Sequence, residues 1–226
     1  MKRPATLAAL ALALTALPLA APAQQTAEAP TAGGRRVMTV LGDIARTLRT
    51  TRYRHDTVVN VREGRYEWDC SAMAGWVLSR AAPVSRRAVP GGRPLAVDFF
   101  RTIRSTPTTR YRSGWTQLAR VDMAMPGDVV AWQMPRWFRS RSTGHVAFVV
   151  APATRTSRGV LLRIIDATSV PHDRDTRAYG AGGGYGEGTL LVVTDDSGRG
   201  VAYGWAGDRT PDEWVTPTPV VVGRVR

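Results

Sequence analysis

The 226-residue chain is poor in residues that usually hold exported or metal-binding proteins together. It has one cysteine, Cys70, and three histidines, His55, His145 and His172. A single cysteine excludes an internal disulfide framework. With histidines this scattered, metal-ligand spacing is excluded too. No lysine follows Lys2, so the formal net charge of +13 is carried almost wholly by arginine. After Leu19 no apolar run is long enough to span a bilayer. The glycine-rich stretch Ala181–Gly188 lacks a following Gly-Lys-Ser/Thr, which excludes a phosphate-binding loop. It reads as a flexible loop that could serve as a lid.

Residues 1–23 have the form of a secretory signal. Lys2 and Arg3 precede the apolar run Ala5–Leu19, and Ala21-Pro22-Ala23 offers a cleavage site after Ala23. No cysteine lies beside that site to carry a lipid. The expected mature protein is a monomer in the periplasm or outside the cell. Residues 24–35 read as a flexible leader and 36–226 as one domain. The arginine surface suits anionic envelope polymers or lipid head groups. No motif points to nucleic acid.

An unpaired thiol in an oxidising compartment suggests reactivity rather than structure. Cys70 follows Asp69, a good N-cap. Cys70, Met73, Ala74, Val77, Leu78 and Ala81 then recur at helical spacing until Pro83. The thiol therefore falls in the first turn of a helix, where unpaired N–H groups favour a thiolate and can hold an oxyanion. Further helices are expected over Val37–Leu48 and Leu95–Ile103.

From Pro126 onward the pattern becomes β. Strands are expected at Asp128–Trp132, His145–Val150, Val160–Asp166, Thr189–Thr194, Gly200–Trp205 and Val220–Val222. Helices first and strands later predict an α+β fold with an antiparallel sheet. Alternation puts His145, Ala147 and Val149 on one strand face and Leu162, Ile164 and Asp166 on one face of another. If Val149 pairs with Leu162, His145 lies opposite Asp166, with Cβ atoms about 5 Å apart. Small Ala147 would leave room for a helix end. His172 competes with Asp166 for the third role, from what reads as an exposed loop. His55 reads as a surface or structural residue.

The blocks "DCSAMAGWVL", "PGDVVAW", "GHVAFVV" and "IIDATS" together resemble the NlpC/P60 cysteine peptidases, with a looser likeness to CHAP amidases. The resemblance implies a papain-like α+β fold, with N-terminal helices packed on an antiparallel β-sheet and the nucleophile at a helix N-terminus. It implies hydrolysis of amide bonds in peptidoglycan stem peptides without a cofactor. Cys70 would be nucleophile, His145 base and Asp166 the third polar group. Asp69 and Ser71 match positions that bind the stem peptide's free amine, and Tyr66 matches a site-lining tyrosine. Ala72 stands where the family usually has glycine, and Asp166 where it often has histidine. Acyl transfer by the same thioester chemistry and a non-catalytic wall-binding module are the alternatives.

Overall fold

A computed structural model of the protein describes residues 28–139, 141–177, 180 and 182–226. The expected signal sequence and the first part of the expected leader lie outside these residues. The rest of the leader is not an open tether, because helix α1 (Ala32–Thr47) starts within it, capped by Thr31. The Thr31 hydroxyl donates to the Val225 carbonyl at 2.6 Å, fastening this end to the last strand.

A three-stranded sheet follows, built from β1 (Thr50–Tyr53), β2 (Val58–Asn60) and β3 (Arg65–Trp68). β3 is central, parallel to β1 and antiparallel to β2. It leads directly into α2 (Cys70–Ala81). Pro83 ends α2 and occupies the start of a short further helix, α3 (Pro83–Ala88), where its missing N–H costs nothing. Helix α4 (Ala96–Arg104) begins where the Asp98 carboxylate accepts from the Leu95 N–H at 2.8 Å.

The remaining strands are β4 (Trp115–Gln117), β5 (Val129–Gln133), β6 (Gly144–Val149), β7 (Thr154–Thr156), β8 (Gly159–Thr168), β9 (Gly184–Thr194), β10 (Gly200–Gly204) and β11 (Thr216–Val225). They overturn the expected fold class. Six antiparallel strands close into a β-barrel in the order β10-β9-β8-β6-β5-β11, and β11 returns to pair with β10. The architecture is a barrel with few helices, not papain-like helices layered on an open sheet. The cause is β11. It pairs with β5 along Val220–Gly223 and with β10 through Thr216, Pro217 and Val220, so neither edge is left open.

The barrel has two faces. Val130, Trp132, Val149, Leu162, Ile164, Leu190, Val192, Val220 and Val222 belong to one buried core. Val129, Ala131, Val146, Phe148, Ile165, Ala167 and Val221 alternate with them and join α1, α2 and α4 in a second core. β6 is buried on both faces, which explains why every residue after His145 in it is apolar. Ala147 belongs to the first core, whereas its neighbours Val146 and Phe148 share the second core with α2.

Candidate active site

The Cys70 side of the candidate site is made by a strand-to-helix junction. Tyr66 and Trp68 of β3 are buried, and Asp69 leaves the strand with extended φ and ψ of -90° and 175°. Its Oδ1 accepts from the Ala72 N–H and the Ser71 hydroxyl, each at 2.8 Å. Such a cap contributes about 1 kcal/mol and sets where the helix starts. The N–H groups of Cys70 and Ser71 then lie in the first turn, ahead of the helix's own ladder. Cys70 is the one cysteine and is unpaired; 7% of its surface is exposed.

The base side sits at the barrel. His145, the second residue of β6, pairs with Trp132 of β5. Its Nε2 donates to Asp166 Oδ2 at 2.6 Å, and the ring is close enough to Cys70 to interact with it electrostatically. His145 is therefore bonded to Asp166 and electrostatically coupled to Cys70. Burial works against a charge on the ring. The negative charge of Cys70 and the interactions with Asp166 and Cys70 outweigh it and raise the His145 pKa from 6.5 to about 10. Burial likewise opposes ionisation of Asp166, but His172 and His145 hold its carboxyl well below the usual carboxylate range.

The strand register differs from the one expected. Val149 pairs with Ile164, not Leu162, a slip of two residues. Continued along β8, this register sets Asp166 opposite Ala147 and diagonal to His145. A two-residue slip preserves the face, and a diagonal neighbour remains within reach of an imidazole. The slip arises between β6 and β8. The β7–β8 turn pairs Thr156 with Gly159, and the irregular residues 150–153 absorb the offset.

His172 is not in an exposed loop. Its ring is buried and stacks on Trp205, with centroids 4.9 Å apart. Its Nε2 donates to the same Asp166 oxygen at 2.9 Å. The other carboxylate oxygen is held by Arg177, whose guanidinium also donates to the Asp166 and Gly186 carbonyls at 2.9 and 3.0 Å. Asp175 folds the segment that carries both side chains. It accepts from the His172 N–H at 2.7 Å, the Arg177 N–H at 2.7 Å and the Arg177 guanidinium at 2.6 Å.

The glycine-rich stretch has a structural task here. It is no lid, because Gly184 onward is β9. A Cβ on Gly186 would lie 2.5 Å from Arg177, and one on Gly188 would lie 2.4 Å from His172. Gly186 and Gly188 leave one strand face bare, and Arg177 and His172 pack there, while Gly184 makes room for Thr51 and Arg52 of β1. That period-two glycine pattern is the sequence signal that could have revealed both residues.

Other residues fall differently. Tyr66 is 1% exposed, and its hydroxyl is within 2.8 Å of the Thr47 hydroxyl. It supports the junction from behind, packed on Trp68 and Trp76, and does not line an open cleft. The phenol near Cys70 is Tyr53 of β1, which no local motif marks. Burial first, then the charges of Cys70, Asp69 and Asp166, push its pKa up to about 12, so it stays a hydrogen-bond donor at neutral pH. His55 is exposed, with Nδ1 3.4 Å from Asp69 Oδ2, and Arg93 approaches the same oxygen at 3.8 Å. Trp132, Tyr203 and Trp205 wall the far side of His145.

Chemically, this arrangement offers a thiol, an imidazole coupled to that thiol, a carboxylate behind the imidazole and helix-start N–H groups for an oxyanion. Among the described residues, no group of three or more His, Cys, Asp or Glu side chains is disposed to hold a metal ion. No helix among them is long and apolar enough to cross a membrane. Comparison with protein-family models, with curated proteins and with solved structures finds no match.

Proposed function

We propose that the protein is an exported cysteine peptidase or amidase that cleaves amide bonds in peptidoglycan stem peptides. The observation that carries the chemistry is His145 bonded to Asp166 with its ring electrostatically coupled to Cys70. The Cys70 thiolate attacks the amide carbonyl, and the oxyanion forms against the Cys70 and Ser71 N–H groups. Protonated His145 gives its Nδ1 proton to the leaving amine as the C–N bond breaks, leaving a thioester on Cys70. His145 then takes a proton from water, which attacks the thioester. The carboxylic acid leaves and the thiolate–imidazolium pair returns. Throughout, the Nε2–H stays on Asp166 and fixes the ring.

The substrate class comes from the motif resemblance to NlpC/P60 peptidases, here carried on a barrel. In the same reading, Asp69 and Ser71 select a free amine. Asp69 Oδ1 is taken by Ser71 and Ala72, so Oδ2 is the oxygen for an amine, in competition with His55 and Arg93. The test is mass spectrometry of purified peptidoglycan fragments incubated with wild-type or Cys70→Ala protein. New fragments with the wild type alone support the proposal. No cleavage by the wild type, or equal cleavage by both, overturns it.

A further inference from the structure

The connection between β5 and β6 reads Met134-Pro-Arg-Trp-Phe-Arg-Ser-Arg-Ser-Thr143 and contains no acid. Trp137 is 63% exposed and Phe138 45%, although each is large and apolar. Arg136, Arg139 and Arg141 are exposed around them. Among the described residues none of these three arginines has an ion-pair partner. Elsewhere arginine is often neutralised, as at Arg120–Asp122, Arg163–Glu187 and Arg224–Asp128.

The surface extends onto α4. A cleft of about 290 Å³ lies between Arg101 of α4 and Arg136 and Phe138 of the hairpin. A second, of about 300 Å³, is lined by Arg104 and Arg136 with Pro135 and Pro217. Arg101 and Arg104 are also exposed and without an ion-pair partner among the described residues. Two apolar rings thus protrude from a surface of five uncompensated cations.

We propose that this hairpin and the adjoining face of α4 seat the protein on an anionic lipid surface. Arginines pair with lipid phosphates, and the two rings enter the boundary between head groups and acyl chains. A glycan strand fits less well. Sugars stack on flat aromatic platforms with polar neighbours, whereas these rings stand at 62° to each other and Phe138 offers no hydrogen bond. The hairpin runs straight into Gly144 and His145, so seating it would bring the start of β6 close to the surface.

The test is co-sedimentation of the full chain with vesicles of phosphatidylcholine alone, vesicles of phosphatidylcholine mixed with phosphatidylglycerol, and insoluble peptidoglycan. Any contribution of the apolar residues 5–19 is common to all variants. The wild type should favour the mixed vesicles over the neutral ones. Trp137→Ala/Phe138→Ala and Arg136→Gln/Arg139→Gln/Arg141→Gln should each lose about tenfold or more of that binding. Thermal melts should be unchanged, since these side chains are exposed. Equal vesicle binding by wild type and both folded variants overturns the proposal. So does binding that depends on these residues for peptidoglycan but not for vesicles.

Discussion

The two halves of the candidate site are built by opposite strategies. The nucleophile half occupies three consecutive residues, Asp69, Cys70 and Ser71, and one local device, the helix cap, positions all of them. The base half gathers His145, Asp166, His172 and Arg177 from β6, β8 and the segment before β9 around one buried carboxylate. A local device tolerates change around it. A buried cluster does not, because each member satisfies a charge that another would leave unpaired. Substitutions in the two halves should therefore fail differently.

The largest effect is expected at Cys70. Cys70→Ser should abolish turnover with its thermal melt preserved, because the hydroxyl fits the cap but is far less acidic. Activity near wild type would remove Cys70 from the chemistry.

On the base side, Arg177→Met should cost about 3–5 kcal/mol in chemical unfolding, since it leaves Asp166 and Asp175 without their shared cation. Activity would fall with stability there. A change below about 1 kcal/mol would mean that the cluster is not an interdependent unit.

Asp166→Asn should lower kcat/KM by about 10² or more, the contribution of a positioned acid–base group. His172→Gln keeps a donor toward Asp166 and should cost about tenfold at most. The reverse ranking would make His172 the principal orienting group.

The pH dependence separates the halves further. The raised His145 pKa keeps the imidazolium as the resting form at neutral pH, so the alkaline limb of kcat/KM lies toward pH 10. Asp166→Asn removes one cause of the rise and should move that limb to lower pH. By linkage, the His145 charge adds stability fully below pH 6.5 and loses it as pH climbs through about 10. Thermal melts of wild type and His145→Gln across that window should converge as pH rises. The smallest effect is expected from substrate acetylation. If Asp69 and Ser71 select a free amine, blocking that amine should reduce cleavage while Cys70 chemistry persists.

The same contrast explains what the sequence disclosed. The cap, the helix period and the place of Cys70 in it all lie between Asp69 and Ala81. The common face of His145 and Asp166 follows from a period of two, which survives a slip of two residues. Barrel closure depends on β11 meeting both β5 and β10, pairings between distant segments that no local pattern records. The burial of His172 depends on Asp175 folding its segment and on Gly188 leaving room for its ring. Tyr53 comes near Cys70 because β1 lies parallel to β3, with Tyr53 opposite Trp68, and β3 leads into α2.

The central claim is that Cys70 is activated by His145. It is tested most directly by the rate at which iodoacetamide alkylates Cys70 near neutral pH in wild-type and His145→Ala protein. As the one cysteine in the chain, Cys70 gives an unambiguous signal. Rapid labelling of the wild type and labelling at least about tenfold slower in the variant are expected, because removing the imidazolium removes the thiolate's counter-charge. Equal rates in two folded proteins would contradict the account.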